Sequence, residues 1–248
     1  MIDIHTHILP GIDDGAQVIE ESIEIAKRAS DEGVKAIVAT PHVLEAISED
    51  GWERIRDIFD RLKQRLISAK IGIDIILGAE LFISPEVPAW IKRNRELTIN
   101  GGNKYILIEL PLYEIPPFTE QTIFELLLQG VVPIIAHPER CMAIQQDTNR
   151  LSALIGKGVL TQANVGSLTG KYGKAARKTA KTLLTRNLIH MIGTDVHTLS
   201  NGSYPLSQGV NMAAEVVGIE RAKEMVTSVP GRMIRGEEIR AFVCAPRK

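Results

Sequence analysis

The chain opens with Ile2-Asp3-Ile4-His5-Thr6-His7, a short apolar run that closes on His-x-His. Side chains alternate along a strand, so an extended backbone points His5 and His7 to one side. Two imidazoles on one side can grip one metal ion. The pattern recurs in Ala39-Thr40-Pro41-His42, Ala136-His137-Pro138-Glu139 and Thr194-Asp195-Val196-His197. Five of the six histidines therefore stand at or just beyond the end of an expected strand. The sixth, His190, begins one and is read as an ordinary core residue.

Seven runs are apolar nearly throughout, as buried parallel strands are. They cover 2–7, 36–41, 73–80, 105–110, 132–137, 160–165 and 189–195. Helical spacing fills most of the gaps. It predicts helices over 18–33, with Gly33 as C-cap, and over 52–70. Further helices are expected over 119–130, with Thr119 as N-cap, and over 151–158, 174–187, 207–217 and 220–226. Alternating β and α elements imply an α/β fold with a parallel sheet. A barrel is favoured over an open sheet because candidate ligands stand at the C-terminal ends of nearly all the strands. Those ends converge on one mouth in a barrel and spread along an edge in an open sheet.

The bulk numbers narrow the function. The 248 residues suit one α/β barrel or two small domains; with no low-complexity linker or internal repeat, residues 1–248 are taken as a single domain. The net charge of −1 offers no field for nucleic acid. No apolar stretch approaches the roughly 18 residues of a membrane span, so no membrane insertion is expected. The first residues lack the basic and apolar regions of a signal peptide, and a cytoplasmic location is expected. Cys141 and Cys244 do not form a disulfide framework. Nor do they fit a cysteine phosphatase, which needs Arg six positions after Cys. Asp147 stands there after Cys141, and too little chain follows Cys244.

The candidate ligands are His5, His7, His42, Glu80, Glu109, His137, Asp195 and His197, joined by Asp14 from the loop after the first strand. Glu80 and Glu109 end apolar runs, where a carboxylate is costly unless it meets a cation. Imidazole and carboxylate together suit Mn, Fe, Co or Zn without a thiolate. Nine ligands exceed what one tetrahedral ion uses, so two or three ions with a bridging carboxylate are expected.

These motifs resemble the PHP (polymerase and histidinol phosphatase) superfamily. More narrowly, the chain resembles the bacterial PHP-class protein-tyrosine phosphatases of capsule and exopolysaccharide clusters. The matching segments are 1–15, Ala39-Thr40-Pro41-His42, Gly78-Ala79-Glu80, Ile108-Glu109-Leu110, the run Ala136–Arg140 and the run Gly193–His197. The resemblance implies a distorted (β/α)7 barrel with a trinuclear site. One ion would take His5, His7, Glu80 and Asp195. A second would share Glu80 and add Glu109 and His137, and a third would take Asp14, His42 and His197. Mn2+ is the expected metal. The subfamily usually carries Tyr where this chain has Cys141, a change expected to touch the wall of the substrate pocket. The implied partner is the phosphotyrosine tail of a membrane-anchored bacterial tyrosine autokinase that controls capsule or exopolysaccharide synthesis. The oligomeric state is left open.

Ions in such a site lower the pKa of bound water, so the expected chemistry is phosphoester hydrolysis by metal-activated hydroxide. Arg140, three residues beyond His137, is expected to hold phosphate oxygens bidentately. Asp14 or a metal-bound His is a candidate proton donor. The runner-up is a PHP phosphatase acting on a small monoester such as histidinol phosphate. An amidohydrolase-type barrel is disfavoured, because Glu109 stands where that class usually has a middle-strand lysine. A non-enzymatic scaffold is disfavoured by the intact ligand set.

Overall fold

The structure is a computed structural model that describes residues 1–102, 104–199 and 205–239; Cys244 lies outside the described residues. Nine strands follow in chain order: β1 (Ile2–Thr6), β2 (Ala36–Ala39), β3 (His42–Val43), β4 (Asp74–Leu77), β5 (Glu80–Phe82), β6 (Tyr105–Glu109), β7 (Val132–Ala136), β8 (Leu160–Asn164) and β9 (Met191–Gly193). They form two wholly parallel sheets, β1-β2-β4 and β3-β5-β6-β7-β8-β9.

The seven expected runs become nine strands because two of them break. The run at 36–41 divides at Thr40-Pro41, and the run at 73–80 divides at Gly78-Ala79. In each, the segment before the break pairs in the smaller sheet, and the segment after it, His42–Val43 or Glu80–Phe82, runs past the expected end and pairs in the larger. Pro41 has no N–H with which to continue a ladder. At Gly78 a Cβ would stand 3.3 Å from Ile99 and 3.4 Å from Val38, so only glycine passes without displacing them. Seven staves remain once β2 is joined to β3 and β4 to β5. Backbone bonds from Asp195 N–H to His5 O (2.9 Å) and from His7 N–H to Val196 O (2.9 Å) bring the last stave to the first. This is the distorted (β/α)7 barrel, and the double break is its distortion. His42 and Glu80 accordingly open short second segments at the mouth instead of ending strands.

The helices fall close to their expected places. The first spans Ile19–Asp31, with Glu32 as its C-cap and Gly33 just beyond in the left-handed region. The second begins three residues early, at Glu49, because Ser48 caps it by accepting from Gly51 N–H at 3.2 Å. Thr119 is not an N-cap: it is the first residue of the helix Thr119–Leu128, and its buried hydroxyl has no partner. Helices Asn149–Gly156, Gly173–Thr185, Leu206–Val217 and Ile219–Glu224 lie within about two residues of expectation. Short helices at Val87–Arg93, Met142–Gln146, Val165–Thr169 and Ser228–Ile234 are too brief for periodicity to reveal.

Two apolar layers result. One lies between staves and helices. The other fills the barrel, where Ile4, Val38, Leu107, Ile134, Leu160 and Met191 meet, with Ile99 and Met233 in the same cluster. Burying each large aliphatic side chain stabilises by about 1.5–3 kcal/mol.

His190 fits the ordinary core role. Thr161 donates its hydroxyl proton to Leu188 O (2.6 Å), so it accepts from His190 Nδ1–H at 2.9 Å. The other nitrogen, Nε2, is buried and unpartnered. Burial, then the charge of Arg221, lowers the His190 pKa to about 4. As pH falls from about 6.5 to 4 the unfolded chain takes up a proton that the folded chain refuses, so stability falls by roughly 3 kcal/mol. Urea unfolding at pH 7 and pH 4.5 checks this. His190→Gln should lose about 2–3 kcal/mol less than wild type over that interval, and equal losses would clear His190 of the effect.

Candidate metal centre

Four staves deliver five imidazoles to one point by different local devices. In β1 the pairing with β2 shifts register between Asp3 and Thr6. This bulge breaks strict alternation, so Ile4 packs inside the barrel while His5 and His7 still face the mouth. In β6, alternation alone carries Tyr105 and Leu107 into the inner layer and Glu109 to the mouth above them. After β7, alternation would turn His137 outward, but its backbone is left-handed (φ 30) and turns it back. Asp195 has the same rare conformation (φ 54) beyond β9. Strained backbone of this kind concentrates at functional sites.

All nine expected residues meet. Glu80 lies at the centre, fully buried. Its Oε2 is 3.1 Å from His5 Nε2, 3.4 Å from His7 Nε2 and 3.1 Å from His42 Nδ1, and its Oε1 is 3.3 Å from His137 Nε2. Asp195 Oδ1 is 3.4 Å from both His5 Nε2 and His7 Nε2. Glu109 is 3.6 Å from His137. Towards solvent, Asp14 Oδ1 lies 3.4 Å from His197 Nε2 and 3.7 Å from His42 Nε2. Three sets have donor atoms mutually within 4.8 Å: His5/His7/Glu80, His42/Glu80/Glu109 and His7/Asp14/His42/His197. They overlap the three expected subsites in part: His7 and His42 each reach two sets, and His137 and Asp195, though in contact with the cluster, belong to none of the three.

The donor chemistry fits divalent cations. His5 Nδ1 meets Gln162 Oε1 at 3.0 Å, and His7 Nδ1 meets Asp13 Oδ2 at 2.8 Å. Both partners are acceptors, so each ring carries its proton on Nδ1 and presents Nε2 to the centre. The two Nε2 atoms face each other at 3.3 Å. Both Glu80 oxygens are buried without a hydrogen bond of good geometry. Lone pairs and carboxylate oxygens thus converge where only positive charge relieves them. Without a metal ion, protons take that role. Burial opposes it, but Glu80 and Asp195 push the His5 pKa up to about 9. Burial also opposes ionisation of Glu80, yet the charge of His5 and the imidazoles of His137 and His42 hold it well below the usual carboxylate range. Metal ions displace such protons on binding.

Periodicity does not reveal the residues that hold these donors in place. Asp13 accepts from His7, from His42 N–H (2.9 Å) and from Gly15 N–H (2.9 Å). In β8, Leu160, Gln162 and Asn164 share one face. Gln162 orients His5, and Asn164 donates to Asp195 Oδ2 at 2.6 Å. Asp3 accepts from Thr194 N–H at 3.0 Å and ties the first stave to the last. The available signal was the two amides in an otherwise buried strand.

Arg140 closes one side. Its guanidinium pairs with Asp195 at 3.1 Å and lies 4.3 Å from the centre of the Tyr172 ring. A cavity of about 610 Å³ joins Arg140 and Tyr172 to Asp14, His42, Glu109, His137, Asp195 and His197, with Ile12, Leu44 and Phe82 at its apolar rim. Cys141 is buried, with its thiol against Glu114 O at 3.6 Å, and does not line this cavity; the aromatic wall is Tyr172.

The sequence profile of the family described as capsular polysaccharide synthesis, CpsB/CapC, matches residues 1–235. The chain belongs to this family. Tyrosine-protein phosphatase YwqE of Bacillus subtilis (strain 168) is 35% identical over 239 residues, 96% of this chain and 93% of that protein. Tyrosine-protein phosphatase CpsB of Streptococcus pneumoniae is 29% identical over 246 residues, 96% of this chain and all of that protein. A structure solved among YwqE from B. subtilis and CpsB from S. pneumoniae, described as unique metal-dependent tyrosine phosphatases, superposes with a TM-score of 0.90 at 33% identity over both whole chains. The histidinol phosphate phosphatase of Lactococcus lactis has a TM-score of 0.57 at 14% identity, covering 90% of this chain and 94% of that one, and shares the fold.

Two substitutions separate a ligand from its support. Glu80→Ala should remove more than one metal equivalent per chain, because Glu80 belongs to two donor sets. Asp13→Ala should keep the ligands but weaken metal affinity by about 10–100-fold, since His7 loses its orienting partner. Elemental analysis and calorimetric titration give the two readings. A Glu80→Ala protein with full metal content would remove Glu80 from the centre.

Proposed function

We propose that this chain is a metal-dependent protein-tyrosine phosphatase of capsule or exopolysaccharide synthesis. Its substrate is the phosphotyrosine tail of a membrane-anchored bacterial tyrosine kinase, met in the cytoplasm. The observation that carries this reading is the 610 Å³ cavity in which Arg140 faces the imidazole–carboxylate cluster across an apolar rim. That rim offers Ile12, Leu44 and Phe82 to an aromatic ring. Among the described residues no helix is long and apolar enough to cross a membrane. The match to relatives over nearly their whole length supports reading residues 1–248 as one domain.

The ligands are assigned as His5, His7, Glu80 and Asp195 for one ion, Glu80, Glu109 and His137 for a second, and Asp14, His42 and His197 for a third. Two or three divalent ions are bound, Mn2+ in the first place, with Fe, Co or Zn accepted by the same donors. When bound, they supply a water of lowered pKa and positive charge for the phosphoryl oxygens.

The chain's own residues do the rest. Arg140 is held by Asp195 and Tyr172, so its free N–H groups are fixed for two phosphoryl oxygens. Asp195 is itself held by Asn164, so Arg140 is not needed to position that ligand. Asp14 stands at the exposed lip, where its side chain is 70% exposed; it, or a metal-bound His, is the candidate for assisting the departing phenolic oxygen. Tyrosine phenolate is a comparatively good leaving group, so proton donation matters less here than for an alkyl ester. The histidinol phosphatase reading rests on fold alone.

Chelation should abolish turnover of phosphotyrosine peptides and Mn2+ should restore it, whereas thiol alkylation should leave the rate near normal because Cys141 is buried. Full activity in metal-free protein, or faster hydrolysis of histidinol phosphate than of a phosphotyrosine peptide, would overturn the assignment.

Arg140→Ala should cut kcat/KM by about 10- to 1,000-fold, roughly 1.4–4 kcal/mol, at unchanged metal content. Arg140→Lys should recover only part, since an ammonium keeps the charge and loses the fork. Wild-type kinetics in the alanine protein would take Arg140 out of phosphate binding.

A further inference from the structure

Between Thr148 and Thr194 the chain carries eight Lys or Arg and no Asp or Glu, so the remainder carries −9 against this stretch's +8. The charge is concentrated on the helix Gly173–Thr185. Lys174, Arg177, Lys178 and Lys181 stand three or four positions apart, which places them on one helix face. They line a groove of about 520 Å³ that continues to Arg186.

A charged helix face is usually only solvated, but this one is built differently from the other helices of the chain. Elsewhere a basic residue pairs with an acid one turn away, as in Arg28–Glu24 (2.8 Å) and Arg221–Glu224 (3.0 Å). Among the described residues Lys174, Arg177, Lys178 and Lys181 make no ion pair, and Lys157–Glu120 lies outside this helix. Like charges at these spacings weaken a helix slightly, so the row brings no gain to folding. The row also begins at the catalytic cavity. Tyr172, one residue before the helix, stacks on Arg140 and lines the metal cavity.

We propose that this basic row binds the anionic flank of the peptide whose phosphotyrosine enters the metal cavity. The inference rests on the phosphatase reading above and adds the sequence chemistry of its substrate. Lys174 to Arg186 spans about 18 Å of helix, which an extended peptide covers with roughly five to six residues. The recognised segment therefore carries several carboxylates or further phosphates within about eight residues of the hydrolysed tyrosine. A peptide fits better than a lipid surface. The exposed uncharged neighbours on this helix are Gly173, Ala175, Thr182 and Thr185, with none of the large apolar side chains that anchor a helix in a bilayer interface.

The test compares the intact Mn2+-loaded chain with the quadruple variant K174Q/R177Q/K178Q/K181Q. Glutamine keeps helix propensity, and an unchanged thermal melt verifies the fold. Two phosphotyrosine peptides share a core and differ in an Asp/Glu-rich or a Ser/Gln-rich flank. Wild type should favour the acidic peptide by about tenfold in kcat/KM, mainly through KM, and about 0.5 M salt should erase the preference. The variant should treat the two peptides within about twofold and hydrolyse para-nitrophenyl phosphate at the wild-type rate. Fluorescence anisotropy of the unphosphorylated acidic peptide reads docking without catalysis. Wild type hydrolysing both peptides equally, or a variant that keeps the preference, overturns the docking row and leaves the phosphatase reading intact. Docking lost in the variant, in a chain that hydrolyses neither peptide, overturns the phosphatase reading instead. Loss of binding to phosphatidylserine vesicles in the variant, with no peptide preference in wild type, would give the row to a membrane and overturn the peptide occupant.

Discussion

A carboxylate with no exposed surface must be matched by positive charge, and Glu80 imposes that requirement on this barrel. The apolar layer beneath it, from Ile4 to Met191, offers it no counter-charge. Relief has to come from above and from the sides. His5, His7, His42 and His137 approach from three staves, each within 3.1–3.4 Å of a Glu80 oxygen. The broken staves serve the same end. By leaving one sheet and entering the other, they swing His42 and Glu80 into adjacent paired positions at the mouth. The barrel's distortion is therefore part of the metal centre's construction.

The mouth divides the labour by depth. Glu80, His5 and His7 are sealed from water and fix the geometry. Arg140, His42, His197 and Asp14 border the open cavity and meet what enters. Left-handed backbone at His137 and Asp195 marks the boundary between the two zones. His137 thereby aims a donor that regular strand geometry would have turned away, and the surrounding bonds hold the strain in place.

Much of this was legible because a metal ligand at a strand end breaks an apolar run abruptly. His5, His7, Glu109 and His137 announce themselves in that way, and the barrel follows from their number. The two broken staves were not legible. Thr40-Pro41 and Gly78-Ala79 read as continuations of apolar runs, and only the packing of Ile99 against Gly78 shows why the second must part. Asp13, Gln162, Asn164 and Tyr172 were missed for another reason. Asp13 orients His7 from a loop six positions on, and the other three act on neighbours distant in sequence, such as His5 across 157 positions from Gln162. Hydrophobic spacing carries no record of a hydrogen bond of that span. Thr119 shows the converse error, where a good capping residue stands one position inside its helix.

The ring is joined where Asp3 meets Thr194, 191 positions apart. During synthesis the first stave must therefore wait, one edge unpaired, until nearly the whole barrel has emerged. At cellular rates that wait is on the order of ten to forty seconds. A bare strand edge is a template for aggregation. In Ile2-Asp3-Ile4-His5-Thr6-His7-Ile8 every second residue is polar or ionisable. The histidines that later face the metals thus interrupt what would otherwise be a sticky nascent segment, and they protect the chain before they have any ion to bind.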